Sequence, residues 1–383
     1  MKIAIFNACE SLNVGDQVIS DCIIYLLKKH VSPDVVCYDI LSGRDLDTVR
    51  INARNKNIHP TKKARKRIYP KLISTIKYIF KHNIKEKRYI CNKRNAIKNS
   101  DAVFIGGGHL LIDTAGIFAI NINDIVDFAK SENKKIFVGM VGVRMPWSFI
   151  AKFYFEKLIK YSTTITVRDT ASLKKINSVL NHSNFKVSAT MDPAIFVDEV
   201  YADVYAIPRY EIGLCIISPS ELIRAGSKIN YADILRFWLE LYAYLDEKHP
   251  QKICFFTNGS LQDEIFLDDI QQVSNINRLK KPLTSNELIT NIKSCDSLIA
   301  QRLHTCLPAL SMNKKVIGVK WDNKLEHIFN DLDVGGNMIS FTDSIAEVYE
   351  KYVNACLVSE TVKKSSKAII INGLEKINEK NYQ

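Results

Sequence analysis

Apolar strand-like runs alternate with amphipathic helical stretches along the whole chain. The first run, KIAIFNA at 2–8, precedes a helix-like stretch at 17–30, and a second run follows at 35–40. Continuous apolar runs of this length are typical of strands buried on both faces of a parallel sheet. The alternation therefore predicts an α/β protein with parallel sheets.

The pattern occurs in two successive series. In the first series, further strands are predicted at 101–108, 134–143, 163–169 and 186–196, and helices near 148–161 and 170–180. In the second series, strands are predicted at 211–218, 252–259 and 314–321, and helices at 231–249, 261–273 and 285–293. We interpret these as two Rossmann-like domains facing a central cleft: residues 1–198, a linker at 199–210, and residues 211–383. Ligands of such sheets bind outside the carboxyl ends of the strands.

Length and composition agree with this architecture. The chain has 383 residues, 46% hydrophobic and 25% charged, which excludes a disordered or fibrous protein. No apolar run reaches the ~18 residues of a membrane span, so we expect neither a transmembrane helix nor a signal peptide. The nine cysteines are scattered, without the spacing of a zinc site. We therefore expect buried, reduced thiols in a cytoplasmic protein, and no metal.

The positive charge is concentrated in one segment. Residues 54–98 contain sixteen lysines and arginines and one acid, although the whole chain carries only +12. Apolar residues at helical spacing between 68 and 80 predict an amphipathic helix within this insertion. The segment is either a solvated helical face or a docking site for an anionic membrane surface. Because no nucleic-acid-binding module surrounds it, we do not expect nucleic acid as a partner.

Two motifs follow strand-like runs in the first half. Asn13-Val14-Gly15-Asp16 leads into the first helix, where Asp16 either caps the helix or binds a polar ligand. Three glycines, Gly106, Gly107 and Gly108, precede His109, which is either a site residue or part of a connecting loop. Neither motif is a dinucleotide or P-loop fingerprint, so NAD and ATP are not expected.

Two arginines stand at other strand ends. Arg168 precedes Asp169 and a predicted helix, and the two residues either pair with each other or serve a site. Arg302 and His304 lie in a short polar break before the helical run HTCLPALSM. A guanidinium that binds carboxylate or phosphate, beside an imidazole that transfers protons, suits an acidic substrate. Arg302 and His304 are therefore the main candidates for a site.

Together these motifs resemble the polysaccharide pyruvyl transferase family. The resemblance covers about residues 3–330 and is carried by the following sequences: NVGD, FIGGGHLL, VGVRMP, TVRDTASL, MDPAIF and SLIAQRLHTCLPALSMNKKVIGVKWDNKLEHIF. It implies the two-domain GT-B arrangement. It also implies transfer of the enolpyruvyl group of phosphoenolpyruvate to two hydroxyls of a sugar, which forms a pyruvate ketal. No cofactor is implied, because phosphoenolpyruvate is itself a substrate.

Within this resemblance we assign roles to individual residues. His304 is the expected general acid and Asp16 the expected base, while Arg302, with Arg168 and Arg224, binds phosphoenolpyruvate. Family members often carry an arginine near the serine that ends the first strand of the second domain, whereas here no arginine follows Ser218 until Arg224. Either Arg224 reaches back to the substrate or the donor differs from phosphoenolpyruvate.

The other expected partner is the acceptor. We place a sugar or lipid-linked oligosaccharide of surface polysaccharide synthesis against Asn13, Gly106, Gly107, Gly108 and His109. A lipid-linked acceptor would account for the basic segment, since the enzyme would then work at the inner face of the membrane.

Two other functions remain open from the sequence. A GT-B glycosyltransferase would use Arg302 and His304 to bind the phosphate of a nucleotide sugar. A scaffold protein would keep the fold without chemistry, although the gathering of polar residues at strand ends favours an enzyme.

Overall fold

The computed structural model of the protein describes residues 1–11, 13–55, 74–75, 77–78, 81–82, 87–179, 187–224 and 226–379. Backbone contacts divide the chain into two compact units. Unit 1 comprises Met1–Ser11, Ile19–Pro193 and Lys367–Gln383, and unit 2 comprises Leu12–Val18 and Ala194–Ser366.

Unit 1 is built on a six-stranded parallel sheet. Its strands are β1 (Lys2–Asn7), β2 (Asp34–Asp39), β3 (Ala102–Gly106), β5 (Lys135–Val141), β7 (Ser162–Val167) and β8 (Val187–Ala189), and a separate pair is formed by β4 (Leu111–Ile112) and β6 (Val143–Arg144). The strand order is β2-β1-β3-β5-β7-β8. In chain order, β2 is added on one side of β1 and β3 on the opposite side of β1. The topological switch point of unit 1 therefore lies between β1 and β3.

Helices connect these strands. They are α1 (Gly15–His30), α2 (Leu46–Asn55), α3 (Lys87–Lys98), α4 (Ile117–Ser131), α5 (Phe149–Tyr161) and α6 (Thr170–Val179). Right-handed crossovers place α3, α4 and α5 together on one face of the sheet. The continuous apolar strands form the core beneath them, and all five residues of β3 are buried.

Unit 2 repeats this plan with five parallel strands. They are β9 (Tyr210–Cys215), β10 (Ile253–Phe256), β11 (Cys295–Ala300), β12 (Lys315–Val319) and β13 (Met338–Ile339). The strand order is β10-β9-β11-β12-β13, and each pairing is parallel. The switch point of unit 2 therefore lies between β9 and β11.

The helices of unit 2 complete the α/β alternation. They are α7 (Val197–Val200), α8 (Pro219–Arg224), α9 (Tyr231–Lys248), α10 (Leu261–Val273), α11 (Ser285–Lys293), α12 (Leu303–Ser311), α13 (Asn323–Asp331), α14 (Ile345–Val353) and α15 (Glu360–Glu379), with 3-10 turns at Pro193–Phe196 and Gly335–Asn337. The last part of α15 belongs to unit 1. The α/β class with parallel sheets, predicted from the sequence, is confirmed. Seven of the nine cysteines are buried.

The contact division differs from the predicted domain ranges. The main part of unit 2 starts at Ala194 and includes the predicted linker at 199–210. Leu12–Val18, which contain the start of α1, also belong to unit 2, and residues 367–383 belong to unit 1. These differences arise because the loop before α1 and the end of α15 pack on residues remote in sequence. The amphipathic helix predicted between 68 and 80 falls mostly outside the described residues. In the described part of the chain, no helix is both long and apolar enough to span a membrane.

Candidate functional site at the strand ends of unit 2

The switch point of unit 2 brings several polar side chains together. Ser218 follows β9, Asn258 follows β10, and Arg302 follows β11, each within a few residues of the carboxyl end of its strand. Neighbouring crossovers diverge at a switch point and leave a crevice at the strand ends, which is where α/β sheets bind ligands. The sequence prediction of a site around Arg302 therefore coincides with the topological binding position of this sheet.

An ion pair with Asp263 holds the guanidinium of Arg302. Arg302 Nε donates to Asp263 Oδ2 at 3.2 Å, and Arg302 Nη2 donates to the same oxygen. The other carboxylate oxygen, Oδ1, accepts a hydrogen bond from the backbone N–H of Ser218 at 2.8 Å. Arg302 Nη1 makes no hydrogen bond to the described residues, so it is available to a ligand. Asp263 thus fixes the direction of Arg302 without using all of its donors.

The Asp263 carboxyl group is fully buried. Burial raises its pKa above the ordinary value, although the Arg302 guanidinium and the Ser218 N–H act in the opposite direction. The sequence analysis missed Asp263. Its only sequence signal is an acid in the first turn of a predicted helix, which is a common position for a carboxylate that stabilises the helix dipole.

His304 lies in the first turn of α12, where the backbone departs from helical geometry. Its φ and ψ are −82° and 23°. Four residues later Pro308 lacks the N–H that would bond to the His304 carbonyl, and its ring crowds that carbonyl. Pro308 is therefore the sequence cause of the opened turn at His304.

The start of α1 and the loop before it contact His304 and Asn258. Within unit 2, the Val14 N–H donates to the Asn258 carbonyl at 2.9 Å, and His304 Nδ1 lies 3.9 Å from Asp16 Oδ1. The Asn13 side chain accepts the Gly15 N–H at 3.2 Å and so turns the chain into α1. The structure therefore brings together the predicted acid, His304, and the predicted base, Asp16.

A layer of buried polar side chains lies beneath these residues. Asn258 Oδ1 accepts hydrogen bonds from the Thr305 hydroxyl at 2.5 Å and from the Cys215 thiol at 3.4 Å. Gln301 Oε1 accepts the N–H of Ile217 at 2.8 Å. Burial raises the pKa of Cys215 to about 12, so this thiol stays protonated. The layer ties the ends of β9, β10 and β11 together.

The second polar cluster lies at the strand ends of unit 1. Arg168, after β7, is buried and donates from Nη1 to Asp192 at 2.9 Å, while its Nη2 lies 3.1 Å from Nδ1 of His109. A side chain on Gly142, after β5, would meet His109 and Arg168. Arg168, which is also expected to bind phosphoenolpyruvate, lies in unit 1, where it contacts His109 and pairs with Asp169 at 3.7 Å. Its sequence neighbour Asp169 caps α6 through Ser172 at 2.5 Å.

Positive φ angles and close packing explain why three consecutive glycines occur here. Gly107 and Gly108 adopt positive φ of 73° and 68°, which favours glycine. A Cβ at Gly106 would lie 2.2 Å from the Phe104 ring, and one at Gly107 would lie 2.5 Å from Ile19. The glycines thus let the loop pack closely over the sheet and place His109.

Arg224 is the other arginine expected to bind phosphoenolpyruvate. It ends α8 and is exposed, and Glu221 is its partner among the described residues. The arginine held next to Ser218 is Arg302, through their shared partner Asp263. Among the described residues, no group of three or more His, Cys, Asp or Glu could hold a metal ion.

The fold and the site together define an α/β enzyme with two parallel-sheet units and a charged cluster at a switch point. The chain belongs to the polysaccharide pyruvyl transferase family, whose model, described as "Polysaccharide pyruvyl transferase", matches residues 13–323. This membership makes the protein a transferase. The matched range contains Asn13, Asp16, Asp263, Arg302 and His304. No curated protein matches the chain.

Solved structures with a similar fold include sugar-nucleotide enzymes. UDP-GlcNAc 2-epimerase from Neisseria meningitidis, bound to UDP-GlcNAc, has 13% identity and a TM-score of 0.55, covering 98% of this chain and 100% of that chain. The Methanocaldococcus jannaschii UDP-GlcNAc 2-epimerase has 12% identity and a TM-score of 0.55, with 94% of both chains covered. The S. aureus MnaA-UDP co-structure has 13% identity and a TM-score of 0.52, covering 91% and 87%. At this identity the similarity shows the fold, which is the GT-B-like type.

Proposed function

We propose that the protein transfers the enolpyruvyl group of phosphoenolpyruvate to a sugar of a surface polysaccharide, or to its lipid-linked precursor, and forms a pyruvate ketal. The observation that carries the proposal is the cluster of Arg302, His304 and Asp16 at the switch point of unit 2. It combines a held guanidinium, an imidazole and a carboxylate, which this reaction needs for anion binding and for proton transfer.

Arg302 binds the anionic groups of phosphoenolpyruvate. Its planar guanidinium suits carboxylate and phosphate oxygens, and Nη1 remains available because Asp263 accepts only from Nε and Nη2. The first turn of α12 adds the positive end of a helix dipole. Asp263 keeps the guanidinium in place before the substrate arrives, which reduces the entropy lost on binding.

His304 and Asp16 carry the proton steps. His304 donates a proton to the methylene carbon of phosphoenolpyruvate, so that carbon 2 becomes an oxocarbenium-like centre. A sugar hydroxyl attacks carbon 2 and its proton passes to Asp16. The C–O bond to phosphate then breaks, and a second hydroxyl attacks carbon 2 to close the ketal while its proton passes to the departing phosphate. The proton on Asp16 returns to His304, which restores both groups for the next turnover. The 3.9 Å between Asp16 Oδ1 and His304 Nδ1 lets the carboxylate also orient the imidazole.

The acceptor sugar is assigned to the loop of Gly106, Gly107, Gly108 and His109 in unit 1, and Asn13 of unit 2 stays a separate candidate for the acceptor. Arg168 contacts the His109 ring and is itself held by Asp192, which supports a positioning role for Arg168 rather than the binding of phosphoenolpyruvate.

The acceptor is proposed to be lipid-linked and the enzyme to work at the cytoplasmic face of the membrane. The support is the concentration of charge in 54–98, where fifteen more positive than negative residues would attract an anionic leaflet. Most of this segment lies outside the described residues.

A nucleotide-sugar glycosyltransferase is the second candidate. The observation in its favour is that similar solved folds are described as bound to UDP or UDP-GlcNAc. In that reaction Arg302 would bind the phosphate of the nucleotide, and His304 would have no methylene carbon to protonate.

Calorimetry separates the two candidates. Wild-type protein should bind phosphoenolpyruvate, and Arg302→Ala should weaken this binding by about tenfold or more, because a charge-assisted hydrogen bond contributes ~1.5 to 3 kcal/mol. Arg224→Ala is the matched control for loss of an arginine, and an equal loss there would assign Arg224 to the same substrate. Tight binding of uridine diphosphate without any binding of phosphoenolpyruvate would refute the proposal.

A further inference from the structure

Helix α5 exposes two aromatic side chains that its own unit does not cover. Phe149 is 85% exposed and Phe153 is 57% exposed, and they are the exposed phenylalanines of the described residues. Residues four apart lie on the same side of a helix, so the two rings form one patch. The opposite side of α5 is buried in the core through Ala151, Phe155, Leu158 and Ile159. We call Phe149, Lys152, Phe153, Glu156 and Lys160 the outer face of α5.

Lysines flank the two rings, and Glu156 lies among them, 3.7 Å from the Lys152 amine. Lys152 and Lys160 are exposed on the same side of the helix, and Lys157 lies beside them, held by Asn123 at 2.8 Å and Asp127 at 2.6 Å. Exposed aromatic rings between lysines are characteristic of helices that lie in the plane of a membrane surface, with the rings in the acyl boundary and the amines near the headgroups.

The positive charge continues across the neighbouring helices. Helix α4 packs on α5, and Arg94 of α3 stacks on Phe128 of α4 at 4.5 Å. Helices α3, α4 and α5 together carry nine lysines and arginines and three carboxylates, a net charge of +6. The exposed cations of α3 are Lys87, Arg88, Arg94 and Lys98. The aromatic patch therefore lies at the side of a broad positive surface.

We propose that the outer face of α5 inserts into an anionic lipid membrane, with Phe149 and Phe153 entering the acyl boundary. The positive charge of this surface favours an anionic membrane over a second copy of the protein as its partner. A second copy of the same positive surface would be repelled, whereas an anionic leaflet attracts each lysine near it. The proposal extends the membrane association proposed for residues 54–98 to a described, folded surface, and it does not depend on pyruvyl transfer.

Vesicle flotation tests the insertion. Wild-type protein should bind vesicles of phosphatidylglycerol and phosphatidylcholine, and should bind vesicles of phosphatidylcholine alone much less. The double variant Phe149→Ser/Phe153→Ser should lower the partition coefficient by about tenfold or more, because burying one phenylalanine side chain contributes at least about tenfold. Unchanged partitioning of this variant, or absence of wild-type binding, would overturn the proposal.

Two further variants separate the contributions of the aromatic rings and of the lysines to vesicle binding. Tyr205→Ser, which removes an aromatic ring that is 82% exposed in unit 2, is the matched control and should partition like the wild type. Lys152→Gln/Lys160→Gln should lower binding to the anionic vesicles by about fivefold for each lysine. If the phenylalanine variant instead dissociates a dimer of the wild type, the partner of this face is a second copy and the membrane proposal is wrong.

The activity assay keeps this proposal separate from the proposed function. Turnover of a soluble sugar acceptor by Phe149→Ser/Phe153→Ser should equal that of the wild type, since neither ring belongs to the catalytic cluster. An enzyme that binds vesicles but shows no pyruvyl transfer would refute the function and leave the membrane surface intact.

Discussion

At the scale of single residues, the Arg302–Asp263 pair shows how a buried charge is kept in a site. Asp263 is completely buried, and Arg302 is its partner together with one backbone N–H. Burial of a carboxylate in a medium of low polarity is costly unless a counter-charge and hydrogen bonds compensate. The same arrangement that makes Arg302 rigid therefore makes Asp263 dependent on it.

Arg302→Met should destabilise the protein at neutral pH by about 3 to 5 kcal/mol, because it leaves a buried carboxylate unpaired. Burial raises the folded-state pKa of Asp263 even with Arg302 present, and the variant loses the compensating charge. A raised folded-state pKa means that the folded protein binds a proton more tightly than the unfolded chain. The difference in free energy of unfolding between the wild type and Arg302→Met should therefore be largest near pH 7 and shrink toward about pH 4.

Urea unfolding of both proteins across this pH range is the measurement. Arg224→Met is the matched control, since its pair with Glu221 is exposed and exposed pairs contribute at most about 1 kcal/mol. A deficit for Arg302→Met that grows as the pH falls would contradict the assignment of a buried, unpaired carboxylate.

At the scale of elements, the start of α1 and the start of α12 meet through one residue without a side chain. A Cβ at Gly15 would lie 2.6 Å from Cβ of His304 and 3.1 Å from Nδ2 of Asn258. Real Cβ atoms do not approach that closely, so either the loop or the first turn of α12 would have to move. Glycine here permits the contact between the Asp16 loop and His304.

Gly15→Ala should lower turnover by about a hundredfold while the protein stays folded, because a displacement of His304 or Asp16 by about 1 Å is sufficient for such a loss. Steady-state kinetics with phosphoenolpyruvate measures the effect. Gly336→Ala is the matched control, because a Cβ at Gly336 meets nothing within 4 Å. Equal turnover of Gly15→Ala and wild type would show that the contact between these two helix starts has no catalytic role.

At the scale of the whole molecule, each unit is formed from segments that are separated in the sequence. After unit 2, the end of α15 returns to unit 1, where Ile370, Leu374 and Ile377 are buried. A Cβ at Gly373 would lie 3.2 Å from the Thr190 side chain and 3.7 Å from that of Thr166. The last residues of the chain therefore complete the packing near β7 and β8.

Ile370→Ala should destabilise unit 1 by about 2 to 5 kcal/mol, because it removes buried methylenes and leaves a cavity. Hydrogen exchange followed by mass spectrometry should show lower protection in β7 and β8. Ile369→Ala is the matched control on the same helix, since Ile369 is 48% exposed and Ile370 only 1%. If only strands of unit 2 lost protection, the packing of the end of α15 on the sheet of unit 1 would be contradicted.

Several elements follow from local sequence because their signals are local. The spacing of apolar residues predicts the helices at 261–273 and 285–293, and the structure has them as Leu261–Val273 and Ser285–Lys293. The apolar runs that predict β1 and β3 are buried on both faces, so the hydrophobic effect acts on every residue of the run. Arg302 and His304 could be proposed from the sequence because a polar break after an apolar strand is itself a sequence feature.

Other features depend on contacts between residues far apart in the chain, which no local pattern contains. In the sequence, Asp263 is simply an acid in the first turn of a helix. Only the strand order places it against Arg302, which is 39 residues away in the chain. Arg168 has the same local signal as Arg302, yet the fold directs it to His109. The sequence alone determined the α/β class, most elements and the family motifs, because periodicity and turn chemistry act over a few residues. The tertiary structure alone decided which charges meet, because crossover connections and burial bring together residues that the chain separates.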